Sequence, residues 1–278
     1  MEGDKYIMKT NELKKSRKTV LRTYISWVQP GKILIKGYSL IDIIGRNSFG
    51  DIIYLLFTGD LPKSNEGKMV EAVLVASCEH GLATPSTNAA RSVGSGGVPI
   101  QAAVAAGIIG LGDFHGGAIE QCAKILQENI KEARERGFEE TARRIITEYR
   151  TSKKRIPGYG HGIHAPEDPR KVRLYEYAEE LKVAADHIRL SEAIESQLKS
   201  LTGKDFPINV DGAIGAIISD LGIHWTFGKG FFLIGRAAGL TAHVQEEQAK
   251  EPPMRRVYTW DEIDYQGPPE RELPPLPR

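Results

Sequence analysis

The sequence predicts a mainly helical protein, and three observations carry that expectation. Apolar residues recur at spacings of three and four over most of the chain, strand-like alternation is confined to 32–38, and glycines gather where the periodic segments end. The character of the chain also shifts from apolar and small, to charged, and back. A chain of 278 residues has room for one large domain or two smaller ones. The shift predicts a large discontinuous domain built from 1–118 and 210–278, with a smaller helical domain inserted at 119–209.

The elements follow in order. The first thirty or so residues read as a charged lead-in, and 32–38 as a short strand pair. Leu40, Ile43, Ile44, Phe49, Ile52, Ile53, Leu55 and Leu56 then fall at helical spacings, and Gly59, Asp60 and Pro62 close the helix. Residues 66–79 form a second helix with Met69, Val73, Leu74 and Ala76 on its apolar side. The almost wholly apolar stretch 99–111 is too short for a bilayer and predicts a helix buried in the protein. Residues 118–149 read as two amphipathic helices broken at Gly137, 157–169 as a loop rich in Gly, His and Pro, and 171–201 as one or two charged helices. Apolar, small-residue segments return at 210–221 and 231–248. The tail from Pro252 is rich in proline and aperiodic.

Composition excludes several classes. Lys plus Arg is 37 and Asp plus Glu is 36, a formal charge of +1, so the clustered basic excess of a nucleic-acid binder is missing. Hydrophobic residues at 41% and charged residues at 26% suit a folded globular chain. Two cysteines, Cys78 and Cys122, make no disulfide scaffold. No stretch approaches the roughly 18 apolar residues of a membrane span, and the N-terminal segment lacks the apolar core of a signal peptide. A cytoplasmic protein with no membrane partner is expected.

The chemistry-bearing residues stand next to glycines. His80 lies in CEHGLA, His115 in GDFHGGA and His161 in GYGHGIH. A glycine-flanked histidine offers backbone that a ligand can approach, and its titration range suits proton transfer near neutral pH. Any one of them taken alone is more often a satisfied structural histidine, but three in the same setting shift that balance. Asp211, ahead of an apolar helix, reads either as a partly desolvated carboxylate base or as a helix N-cap. Arg236 sits in an apolar helix and Arg170 just after the histidine loop. Each needs a protein carboxylate or an anionic ligand, and together they suggest a carboxylate-rich substrate. His161, His164 and Asp168 lack a metal-binding pattern, so no metal is expected. No phosphate-binding GxxxxGK[ST] loop and no GxSxG elbow occurs.

Four of these blocks, GDFHGGA, GYGHGIHAPEDPR, INVDGAIGA and GRAAGLTAH, follow one another in the order that resembles the citrate synthase superfamily, and YLLFTGDLP resembles its N-terminal part. The resemblance covers roughly 31–265. It implies a citrate synthase-like fold and coenzyme A as the substrate thioester. By position, His115 matches the histidine that holds the acetyl-CoA thioester carbonyl. His161 matches the one on the oxaloacetate carbonyl, and Asp211 the acid or base for the methyl proton. His80, Arg170 and Arg236 match substrate-binding groups, while Gly158, Gly160 and Lys204 are the implied CoA contacts. Condensing members usually end in RPRxxYxG, which sends an arginine into the neighbouring subunit. Here PPMRRVYTW puts Pro253 at that place and leaves Arg255 as the candidate substitute. The loop reads GHGIH where synthases usually have GHRVY, and VYTWDEIDYQGPPE looks like the end of ATP-citrate lyase. ATP-citrate lyases tend to carry an aromatic residue where this chain keeps His115. The implied activity is therefore that of a stand-alone citryl-CoA lyase. A citrate or 2-methylcitrate synthase-type condensing enzyme and a non-catalytic CoA- or tricarboxylate-binding module are the alternatives. Family members are homodimers, some lyases tetramers.

Overall fold

The computed structural model of the chain describes residues 21–160, 166–255 and 258–274. It is mainly helical, as expected, and divides into two compact units. One comprises residues up to Val73 with Ile119–Gly228, the other Leu74–Ala118 with Lys229 onwards. This division shares the cut near residue 118 with the one drawn from composition, but it groups 21–73 and 210–228 with the 119–209 segment.

The first unit opens with an antiparallel meander of β1 (Ser26–Gln29), β2 (Lys32–Ile35) and β3 (Tyr38–Ser39). Trp27 pairs with Leu34, and Leu34 with Ser39. The alternation at 32–38 becomes β2 and β3, whereas β1 falls in the expected lead-in. Pro30-Gly31 joins β1 to β2 with Gly31 at φ +74°, the conformation that the third position of a type II turn requires. After the single turn α1 (Leu40–Ile43), α2 (Phe49–Thr58) starts at a capping box. Asp51 N–H donates to Ser48 Oγ at 3.2 Å and Ser48 N–H to Asp51 Oδ2 at 3.0 Å, which satisfies two orphan donors. It stops at Gly59 in the left-handed region, φ +100°.

α3 (Glu66–Cys78) carries the chain to the second unit, and α6 (Ala118–Arg136) belongs to the first. Gly137, at φ +108°, separates α6 from α7 (Phe138–Thr151), as the sequence suggests. α8 (Pro169–Glu180), α9 (Asp186–Thr202) and α10 (Val210–Asp220) complete the unit. α9 packs on α7 and on α10, and α10 on α8. Ile119, Leu126, Ile145, Ile146, Leu190 and Ile194 are buried in this core.

The second unit is built from α4 (Pro85–Gly94), α5 (Ile100–Ile109) and α11 (Gly228–Lys250), which begins at the unit boundary. Ala90, Ala103, Leu240 and Val244 form its small-residue core. α4 has no counterpart in the apolar periodicity. Its start is nevertheless encoded by Thr84, whose side chain accepts from Thr87 N–H, and by Pro85 in the first turn. α5 departs from expectation. Only Ala103 and Gly107 are buried, and Ile109 is 82% exposed, so the apolar helix is covered by this chain along one side only. Among the described residues no helix is long and apolar enough to cross a membrane.

Candidate active site

His115 sits at the tip of a tight turn in the second unit. Gly112 and His115 exchange backbone hydrogen bonds of 3.0 and 2.9 Å, and Gly117 N–H donates to Gly112 O at 3.0 Å. Gly116 has φ +85°, and a Cβ there would lie 2.6 Å from the Phe232 ring, so only glycine lets the histidine turn lie against α11. The His115 ring is half-buried. Its Nε2 lies 2.8 Å from Ser86 Oγ, and Phe232 meets it edge-on at 5.5 Å. Burial holds the imidazole below its ordinary pKa, and the nearby cation of Arg236 and the ring of His80 press in the same direction. At neutral pH His115 is therefore a neutral ring with one N–H.

Arg236, 2% exposed, lies on α11, and three of its contacts are neutral groups. Nε donates to Ser77 O at 3.0 Å, Nη1 reaches Thr84 Oγ1 at 3.5 Å, and the guanidinium lies 4.8 Å from the Phe232 ring centre. His80 follows Glu79 directly after α3. The Glu79 carboxylate accepts from His80 N–H at 2.9 Å and from Gly81 N–H at 2.6 Å. The second unit thus brings His80 and Arg236 into electrostatic reach of His115. Arg255 stands apart. Its Nε donates to the buried Glu247 at 2.7 Å, and Glu247 also meets Arg91.

In the first unit, Asp211 lies in the first turn of α10 and is partly buried. It is not the cap. Asn209 is, its side chain accepting from Gly212 N–H at 3.1 Å. The segment before α10 pairs with the glycine loop. Gly160 N–H donates to Pro207 O at 2.7 Å, Asn209 N–H to Gly158 O at 3.0 Å, and Asn209 Nδ2 to Gly160 O at 2.8 Å. Gly158, at φ +87°, touches Gly212 backbone to backbone, and a Cβ on Gly212 would lie 2.3 Å from Gly158 O.

Asp168 ties α8 to the same place. Wholly buried, it caps α8 by accepting from Arg170 N–H at 3.0 Å. It also takes Arg170 Nε at 3.0 Å and Nη2 at 2.8 Å, and accepts from Val210 N–H at 3.0 Å. Burial alone would raise this carboxyl, but the guanidinium of Arg170 and the two N–H donors outweigh it and hold the pKa below the usual range. Arg170 is thus oriented by a protein carboxylate through two of its three nitrogens. His161 and His164 lie outside the described residues.

A cavity of about 540 Å³ opens beside Gly160, and Arg150, Lys154, Arg155, Tyr149, Tyr159 and Phe206 are among the residues that line it. Three cations beside aromatic rings suit an anionic ligand with a flat ring system. Gly158 and Lys204 are not among its described lining residues.

Sequence reasoning missed Ser86, Thr84 and Asn209, although Thr84-Pro85 and Asn209 are readable as helix-start signals. It also missed the ion cluster around Arg91, whose partners lie more than 150 residues away.

The helical fold agrees with the comparison to known proteins. Residues 64–257 match the C-terminal domain of citrate synthase, and the chain belongs to the citrate synthase family. It is similar to the citryl-CoA lyase of Hydrogenobacter thermophilus, with 41% identity and a TM-score of 0.85 over 92% of this chain and 98% of that one. It is 30% identical over 202 residues to a citrate synthase of Deinococcus radiodurans, 71% of this chain and 51% of the relative. A Methanosaeta concilii ATP citrate lyase solved with (3S)-citryl-CoA shares the fold, with a TM-score of 0.79 and 24% identity over 95% of this chain and 44% of that one. The chain thus spans about half the length of the Deinococcus enzyme and almost the whole of the Hydrogenobacter one.

Proposed function

We propose that the protein is a citryl-CoA lyase, cleaving citryl-CoA to acetyl-CoA and oxaloacetate. The observation that carries this reading is the 41% identity to a citryl-CoA lyase of matching length. The roles follow from chemistry at each atom. By resemblance, His161 takes the proton of the tertiary hydroxyl as the carbon–carbon bond breaks. The electron pair moves to the thioester, whose oxygen becomes that of an enolate. His115, neutral and with Nε2 facing Ser86, offers its Nδ1–H to that oxygen if the Ser86 hydroxyl donates to Nε2. Asp211, in its acid form, returns a proton to carbon and completes the acetyl group. Arg236 and Arg170 supply planar, bidentate donors for carboxylates, and His80 a further substrate contact. The basic, aromatic-lined cavity beside Gly160 supports CoA binding in the first unit.

Replacing Asp211 by Asn should lower citryl-CoA cleavage by at least about 10³-fold, a loss on the scale of removing a general acid, while the far-ultraviolet circular dichroism stays native. Near-normal cleavage would remove Asp211 from the mechanism. A condensing activity is the second reading, favoured by the Deinococcus citrate synthase. Rapid release of free CoA from acetyl-CoA and oxaloacetate would establish it, and cleavage of citryl-CoA without such release would exclude it. The homodimer expected of the family is supported by the uncovered apolar side of α5, around Ile100 and Ile109. Sedimentation of the full chain distinguishes monomer, dimer and tetramer.

A further inference from the structure

We infer that Arg91, His243 and Glu79 form a relay that sets the orientation of His80, which makes Glu79 and His243 positioning residues for that histidine. The role of His80 as a substrate contact rests on the function proposed above. The relay itself rests on geometry within the second unit.

The chain of contacts runs inward from His80. Glu79 Oε1 accepts from the N–H groups of His80 and Gly81, at 2.9 and 2.6 Å, and so fixes the turn that follows α3. Gly81 has φ +74°, so the turn has its own backbone restriction, and the carboxylate holds both of its leading amides. Oε2 of the same carboxylate lies 3.0 Å from His243 Nε2. α11 makes room for this. A Cβ on Gly239 would lie 2.6 Å from Glu79 Oε2 and 2.2 Å from Cys78 O, so any larger residue there would displace the carboxylate.

The far side of His243 decides its tautomer. Nδ1 lies 3.4 Å from Arg91 Nη1. A guanidinium has only donors, so Nδ1 must accept, and the ring proton of a neutral histidine then sits on Nε2, pointing at Glu79. Glu246, with Oε2 3.9 Å from Nδ1, is beyond hydrogen-bond reach and instead takes Arg91 Nη1 at 2.8 Å. Arg91 is locked by Glu246 and Glu247, so it presents the same donor to His243 throughout. The outcome is a directed set of bonds, from Arg91 to His243, from His243 to Glu79, with Glu79 gripping the backbone on which His80 stands. The histidine of GRAAGLTAH and the glutamate of CEHGLA, which the proposed chemistry leaves without a task, are accounted for together.

Two measurements test this. The first needs no variant for its central claim. In a long-range ¹H–¹⁵N spectrum of the full chain labelled at histidine, His243 should show the Nε2–H tautomer at neutral pH. The ring signals of His80 should shift in His243→Phe and in Glu79→Gln. An Nδ1–H tautomer, a doubly protonated His243, or unchanged His80 signals in both variants would overturn the relay. The second is kinetic. His243→Phe and Glu79→Gln should each raise KM for citryl-CoA about tenfold, the worth of one charge-assisted hydrogen bond, with a smaller change in kcat. His243→Gln, which keeps a neutral donor, should restore most of it. Added to His80→Ala, either change should have no further effect, and an additive loss would overturn the proposal. If His80→Ala alone leaves cleavage untouched, His80 is not a substrate contact, and the spectrum still decides whether the relay exists.

Discussion

Arg91 and Arg236 are 4% and 2% exposed in the same helical unit, yet the proposed chemistry uses only one of them. Arg91 is met by carboxylates, with Glu246 at 2.8 Å, Glu247 at 2.7 Å and Glu251 at 3.9 Å. The contacts of Arg236 include a carbonyl, a hydroxyl and an aromatic face. Arg91 is tied into an ion cluster of distant glutamates, whereas Arg236 is the arginine proposed above as a carboxylate contact. Burial of an arginine therefore does not by itself mark a substrate site.

The sharpest way to break this contrast is to remove both cations in turn. Arg91→Leu leaves one oxygen of the wholly buried Glu247 without its cation, Arg255 still holding the other, and should lower stability by about 3 kcal/mol, the low end of the cost of breaking a buried pair, read as a lower urea midpoint. Adding Glu247→Leu should recover much of that loss, because the half-paired carboxylate goes with it. Arg236→Leu tests the proposed substrate contact. It should cut kcat/KM for citryl-CoA by at least about 100-fold, on the scale of a lost bidentate carboxylate contact. If Arg236→Leu left kcat/KM near normal, as Arg91→Leu should in the fraction that folds, the two arginines would be equivalent and the contrast void.

A subtler effect concerns pH. The pKa of His115 is lowered by burial and by Arg236, so the folded protein binds this proton less readily than the unfolded chain. Its contribution is complete above the unfolded histidine value of about 6.5 and declines as pH falls from there towards the folded pKa. Urea midpoints at pH 7.5 and at about pH 5.5 should therefore differ, and the difference should shrink in His115→Asn. An unchanged difference would remove His115 as its source. Asp168 acts in the same direction in stronger acid, since its lowered pKa stabilises the fold above the unfolded aspartate value of about 3.9 and is lost below it.

Most helices were legible because periodicity and stop signals coincided. Gly59 ends α2, Gly137 parts α6 from α7, and the small apolar residues from Val210 mark α10, whereas the break between α1 and α2 at Ser48 was not read. α4 was not legible from hydrophobicity, since PSTNAARSVG has too few large apolar residues to show a stripe. α5 misled for the converse reason. A helix apolar all round carries no face, so nothing in its sequence says which side its own chain covers. The proposed site divides in the same way. His80, His115, Asp211, Arg170 and Arg236 were visible as unusual residues among glycines or in apolar helices. Ser86, Asp168 in its buried role, and the glutamates around Arg91 were not, because an ordinary polar residue becomes informative only once its distant partner is known.

The backbone contact between Gly158 and Gly212 bears on how this enzyme could be re-engineered. A side chain at either position would force the loop and the start of α10 apart, so these sites are closed to diversification. Variation aimed at the proposed CoA site belongs instead on the cavity walls at Arg150, Lys154, Arg155 and Phe206, where a library can change side chains without moving the helix that carries Asp211.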